Sequence, residues 1–185
     1  MIELYHNDMS SCAQKVRLTL AEKGLEWRGH HLNLRDGPQL EPAYLKLNPM
    51  GVVPTLIDDG EVIIESNLIM EYLDEAYPIP ALRPGRPADK VRMRLWTKQL
   101  DEGLHAATGT LSSCIAFRHQ HIETKPTPAL REAYYRKIPD PVKSARQRDV
   151  IENGMTSKYL PDAARRFRKL FDDMESDLTD HNWLV

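Results

Sequence analysis

The chain has 185 residues with 27 acidic and 25 basic side chains, a formal charge of -2. Both signs are mixed along its length, so no nucleic-acid footprint is expected, and no apolar run approaches the ~18 residues that would span a bilayer. Two distant cysteines, Cys12 and Cys114, form no disulfide framework, and the start "MIELYHND" lacks a signal peptide's basic and apolar segments, so a reducing cytoplasm is the expected setting.

The first third alternates short strands and helices. "IELYH" is a brief strand ending in the polar loop "NDM". From Ser11 to Lys23, Val16, Leu18, Leu20 and Ala21 fit a helix that Gly24 stops. "EWRGHHLNL" is a second strand, weakened by Gly29, and Gln39 to Leu47 predicts a short helix closed by "NPMG". "VVPTLID" and "GEVIIES" then form a hairpin around "DDG". In "NLIMEYLDEAY", Leu68, Ile69, Tyr72, Leu73 and Ala76 mark one helical face.

The order β-α-β-α-β-β-α, a parallel start with a hairpin and closing helix, defines a thioredoxin-like α/β domain over residues 1–77. Residues 78–87, "PIPALRPGRP", read as a proline-rich linker. Beyond it, residues 88–185 predict an all-α domain. Its first helix carries Val91, Leu95, Trp96, Leu100, Leu104, Ala107, Leu111 and Ile115 at helical spacing and softens near Gly103 and Gly109. Prolines at 126, 128, 139, 141 and 161 divide the rest into shorter helices. The basic run "RRFRK" followed by "DDMESD" reads as two ends of one solvated helix.

Three features point to thiol chemistry. Ser10, Ser11 and Cys12 stand at a helix start, where unpaired N–H groups and about half a positive charge favour an anion. Either serine can cap that helix or donate its O–H to a bound thiolate. Cys12, in the first turn, is a monothiol alternative; Lys15 at the fourth position excludes a dithiol C-x-x-C pair. In "GVVPTL", Pro54 opens a strand at an edge. A cis Val53–Pro54 bond would turn the Val53 N–H and C=O toward a peptide ligand. In "ESN", Glu65 and Ser66 lie at a helix mouth suited to a carboxylate and an ammonium. No metal is expected: His119 and His121 stand two apart, which on a helix points them away from each other.

"SSCAQKVRLTLAEKGLEW", "NLRDGPQLEPAYLKLNPMGVVPTL" and "ESNLIMEYLDEAYP" resemble the N-terminal domain of cytosolic glutathione S-transferases, with "SSC" and "VR" most like the zeta class and a phi-like serine at Ser10. "LRPGRPADKVRMRLWTKQLDE" and "NWLV" look more like the bacterial β-etherase branch. The resemblance implies glutathione as cofactor, Ser10 as catalytic hydroxyl ahead of Ser11 and Cys12, and Gln39, Val53, Glu65 and Ser66 as glutathione contacts with Pro54 as the cis-proline. It implies a homodimer, a second-substrate pocket bordered by the face from Arg92 to Ser112, and further helices beyond Val185. The expected activity is transfer of glutathione to a small, aromatic electrophile, with maleylacetoacetate-type isomerisation, β-aryl ether cleavage and a non-catalytic binding module as rivals.

Overall fold

The computed structural model describes residues 1–180 and 182–185. Two compact units, Met1–Arg83 and Pro84–Val185, divide the chain. In the first, β1 (Ile2–His6), β2 (Trp27–His31), β3 (Thr55–Asp58) and β4 (Glu61–Ile64) make one sheet in the order β2-β1-β3-β4. β1 is parallel to β2 and antiparallel to β3, and β3 and β4 form the hairpin. This is the thioredoxin-like plan expected from the sequence.

Side chains alternate across β1, so Ile2 and Leu4 point to one face and Tyr5 to the other. On the first face, α1 (Ser11–Glu22) and α3 (Ser66–Ala76) supply Val16, Leu20, Ile69 and Leu73, which bury with Ile2, Leu4 and Leu56. On the second, Tyr44 from the four-residue α2 (Pro42–Leu45) packs with Tyr5, Leu32 and Val53. The helix expected over 39–47 is broken because Pro42 forces Glu41 into an extended conformation, ψ 147°. A 3-10 turn, Pro38–Leu40, precedes the break. β3 begins only at Thr55, since Pro54 has no N–H for the ladder.

One buried ion pair fastens the end of this unit. The Lys23 ammonium, fully enclosed, lies 2.7 Å from Asp74 Oδ1. It also donates to the Tyr77 and Pro80 carbonyls at 2.8 and 2.7 Å. The Leu82 N–H donates to the same Asp74 oxygen, and Arg83 Nε stands 3.3 Å from the other. Burial works to raise the Asp74 carboxyl, but the Lys23 and Leu82 donors outweigh it and hold the group below its ordinary value. Residues 78–83, which include a cis Ile79–Pro80 peptide, are thereby drawn into the first unit.

Among its described residues the second unit has helices and no strand: α4 (Pro87–Gln99), α5 (His105–Leu111), α6 (Arg118–Thr124), α7 (Pro128–Lys137), α8 (Pro141–Asn153) and α9 (Leu160–Asp180). The long first helix bends at Glu102 and Gly103, where Gly103 takes φ +134°, a value open to glycine alone. Gly109, by contrast, lies inside regular helix, and the second irregularity is a π-type stretch over Ser112–Phe117. Pro128 and Pro141 sit in the first turns of α7 and α8, where a missing N–H costs nothing. Thr127 and Asp140 cap those helices. The basic and acidic runs of 165–177 do share one helix, α9. The core here is Cys114, Tyr135, Val150 and Ile151.

Removing the Lys23 ammonium leaves Asp74 buried beside fewer compensating charges. Lys23→Ala should lower stability by about 3–5 kcal/mol, read as a shifted urea midpoint, and Asp74→Asn on that background should recover part of the loss.

Candidate functional site

Strand register alone gathers most of the singled-out residues. Tyr5 pairs with Thr55, Thr55 with Ile64, and His6 with His31. The ends of β1, β2 and β4 and the beginning of β3 therefore share one end of the sheet. From it leave the loop carrying Ser10, the segment Val52–Pro54, the Glu65–Ser66 corner and the path toward Gln39. Neighbouring strands lie about 4.8 Å apart, so β1 to β4 spans about 10 Å, the length of an extended tripeptide.

Ser10 is the N-cap of α1, with φ -80° and ψ 112°, and its Oγ accepts the Ala13 N–H at 3.3 Å. Capping uses an oxygen lone pair and leaves the hydroxyl hydrogen to donate. Ser11, the first helical residue, is exposed, and Cys12 is half-buried. No acidic side chain stands in the first turn to neutralise its positive end.

The Val53–Pro54 peptide is cis. Neither the N–H nor the C=O of Val53 enters a backbone hydrogen bond among the described residues. The segment is anchored from behind. Tyr44 Oη donates to the Val52 carbonyl at 2.6 Å and meets Thr55 Oγ1 at 2.8 Å, while Asn48 Nδ2 donates to both of those oxygens. Burial pushes the Tyr44 phenol up to about 12, against the pull of Thr55 and Asn48, so it stays neutral.

Gln39 lies in the 3-10 turn, 7% exposed; its Nε2 donates to the Leu34 carbonyl, and its Oε1 is buried with no partner. A Cβ on Gly51 would stand 2.9 Å from Leu40 Cδ2 and 3.2 Å from the Gln39 carbonyl, so glycine lets this turn approach the 48–52 loop. At the third corner Glu65 takes φ +69°, a left-handed conformation costing a non-glycine residue about 1–3 kcal/mol. It is exposed, whereas Ser66, first residue of α3, is 4% exposed.

Four contributors carried no sequence signal. Tyr44 and Asn48 support Val53 from behind. Lys15 ties α1 to α3 through a 2.7 Å bond to Asn67 Oδ1, beside Ser66. His6 closes β1 beneath the Ser10 loop. Its imidazole is held below the ordinary value of 6.5 by burial first, then by Arg17 and His31, with Asp8 in partial opposition. In the sequence Lys15 signals only the absence of a C-x-x-C pair. Cys114 belongs to the second unit, where burial pushes its thiol up against a smaller opposing effect of the Ser157 hydroxyl. No cluster of three His, Cys, Asp or Glu suited to a metal occurs among the described residues, and no helix there is long and apolar enough to cross a membrane.

Residues 9–76 match the glutathione S-transferase N-terminal domain. Over its whole length the chain is 30% identical to Protein LigF of Sphingobium sp., covering 72% of that protein. The crystal structure of β-etherase LigF aligns over the full chain with a TM-score of 0.88 at 28% identity, covering 76% of that structure. The chain therefore belongs to the glutathione S-transferase family. Across 96 residues, half of the chain, it is 46% identical to the maleylacetoacetate isomerase of Pseudomonas aeruginosa, spanning 45% of that protein's length. A theta-class transferase from Xanthomonas axonopodis pv. citri, solved with glutathione bound, shares 28% identity over 79% of the chain and 62% of its own, with a TM-score of 0.56. Both likenesses read from the sequence occur among these relatives: that to LigF runs over the whole chain, the first domain included, and that to the isomerase over half of it.

Two outcomes follow from the burial of particular groups. A disulfide reagent should label Cys12 in the folded protein and reach Cys114, 4% exposed, only after denaturation. Because the folded His6 binds its proton less readily than the unfolded chain does, stability falls as the pH drops below 6.5 toward the lowered folded value. The loss in urea midpoint between about pH 7.5 and about pH 5.5 should be smaller in His6→Gln than in wild type.

Proposed function

We propose that the chain is a glutathione-dependent transferase in which the Ser10 hydroxyl and the N-terminus of α1 hold the glutathione sulfur as a thiolate for attack on a small aromatic electrophile. The observation that carries this reading is the Ser10 cap: its oxygen accepts from Ala13, leaving its hydrogen as a donor at the positive end of the helix.

Bound glutathione supplies the sulfur nucleophile. A free thiol with a pKa of ~8.5 is only a few per cent ionised at neutral pH, and bringing it to about 6.5 needs roughly 2.7 kcal/mol of thiolate stabilisation. A hydrogen bond to a charged group contributes about 1.5–3 kcal/mol and a helix N-terminus about 0.3–1. Together these suffice without a metal or a general base. Tyr44, neutral and bonded to Val52 and Thr55, is occupied in support of the loop.

The remaining residues hold the tripeptide. Val53 offers its N–H and C=O for strand-like pairing. The buried Gln39 Oε1 requires an N–H partner, which the peptide backbone of glutathione supplies. Ser66 and the first N–H groups of α3 receive the γ-glutamyl carboxylate, while the Glu65 carboxylate faces its ammonium. Holding both reactants in one geometry provides much of the acceleration. We place the protein in a reducing cytoplasm, acting as a homodimer, the assembly its family resemblance implies.

β-Aryl ether cleavage is the second reading, favoured by the full-length likeness to LigF. A maleylacetoacetate-type isomerase is supported by the 46% identity to such an enzyme across half of the chain. A panel containing an aryl ether, maleylacetoacetate and a halogenated aromatic separates these readings. Retained glutathione binding with no turnover of any of the three favours a binding module.

Thiolate ultraviolet absorbance of bound glutathione tests the mechanism. Ser10→Ala should raise the bound thiol pKa by about 1–2 units, the equivalent of one charge-assisted hydrogen bond, and Cys12→Ala should leave it in place. The reverse pattern transfers the catalytic role to Cys12.

A further inference from the structure

Beneath the Ser10 loop lies a cluster of charges that thiol activation does not use. Asp8, two residues before Ser10, holds Arg17 Nη1 at 3.2 Å and stands 3.4 Å from His31 Nε2. Its backbone carbonyl accepts from Gln14 Nε2 at 2.8 Å. The residue thus fastens the loop to β2 and to α1. The Ser10 N–H in turn closes a turn back to the Asn7 carbonyl at 3.2 Å.

His6 supplies the unusual element. Its Nδ1 is buried, lacks a hydrogen-bond partner and lies 3.9 Å from Asp8 Oδ1. The ring is confined: Trp27 and His31 pack edge-on at centroid distances of 5.3 and 5.5 Å. Opposite Nε2, a Cβ on Gly29 would approach to 3.1 Å, so this strand position leaves room for the imidazole by carrying no side chain. A proton on Nδ1 would turn the gap to Asp8 into a charge-assisted hydrogen bond.

We propose that Asp8 is a positioning residue for Ser10, and that His6 makes its hold proton-sensitive. With His6 neutral, the Asp8 carboxylate serves Arg17 and His31, and the loop presents Ser10 at the head of α1. With His6 protonated, the carboxylate is drawn toward β1 and the loop carrying Ser10 follows. The charged and titratable groups acting on His6 are Asp8 from the loop, Arg17 from α1, and His30 and His31 from β2. Asp8 favours the proton, whereas burial, Arg17 and the two imidazoles oppose it, so the change falls on the acid side of an ordinary histidine. The proposal rests on the reading of Ser10 as the hydroxyl that meets the glutathione sulfur.

The test follows the ring of His6 and the amide of Ser10 by nuclear magnetic resonance, from about pH 8 to about pH 5. It compares wild type, Asp8→Asn and His6→Gln as full chains. In wild type the Ser10 amide should shift with the same midpoint as the His6 ring. In Asp8→Asn the ring should still titrate while the Ser10 amide ceases to follow it, and in His6→Gln the amide should lose the step at the His6 midpoint. A Ser10 amide that ignores His6, or that follows it equally well in Asp8→Asn, overturns the proposal. If Asp8→Asn does not fold, His6→Gln, which keeps Asp8, decides the matter.

The bound thiol gives a second readout whose sign is diagnostic. Removing a negative charge near a thiolate lowers the thiol pKa through the field alone, whereas misplacing the Ser10 donor raises it. Asp8→Asn should raise it by about half a unit or more; no change or a fall rejects positioning. Failure of wild type to bind glutathione would sink the transferase reading, yet the amide titration needs no ligand and still decides for or against Asp8 and His6.

Discussion

The pairing of β3 between β1 and β4 is the constraint on which the site depends. Because β3 runs antiparallel to both, its first residue lies beside the last residues of its neighbours: Thr55 faces Tyr5 on one side and Ile64 on the other. Three loops separated by dozens of residues therefore open at one end of the sheet. A slip of one residue would turn Leu56 out of the core, so the hydrophobic pattern that folds the domain also fixes the register of the site.

Around that frame the polar groups divide between support and service. Tyr44, Asn48 and Thr55 bond to one another and to Val52, leaving the Val53 backbone without a ladder partner. Ser10 does both jobs, capping α1 with its oxygen while keeping a hydrogen to donate. Gln39 has one satisfied end and one buried acceptor unmet. The Glu65 backbone sits in a conformation that disfavours any side chain. An unmet acceptor at Gln39 and a strained backbone at Glu65 thus both fall among the residues singled out from the sequence.

The charge groups are held with different firmness. Lys23 and Asp74 are enclosed and mutually neutralised, with backbone partners completing the pair. Asp8 is largely exposed and shared among Arg17 and two imidazoles at 3.2 to 3.9 Å. Burial and several fixed partners confine the first arrangement, whereas a solvent-facing carboxylate such as Asp8 can exchange partners at small cost.

The sequence by itself determined the element order of the first unit, because strand alternation, Gly24, Pro54 and the "DDG" turn are local signals that fold as written. It also placed Ser10, Val53 and Glu65–Ser66 as candidates, since a cap, an edge proline and a helix mouth are each visible in a few residues. Only tertiary structure decided the rest. Pro42 split one expected helix, and the later break fell at Gly103 and Ser112–Phe117, while Gly109 stayed regular. The roles of His6, Asp8, Lys15, Tyr44 and Lys23 escaped the sequence because each depends on a partner fixed by packing: Lys15 on Asn67 across 52 positions, and Lys23 on Asp74, brought close by the packing of α1 against α3. Local pattern specifies the elements; long-range contact assigns the work of a charge.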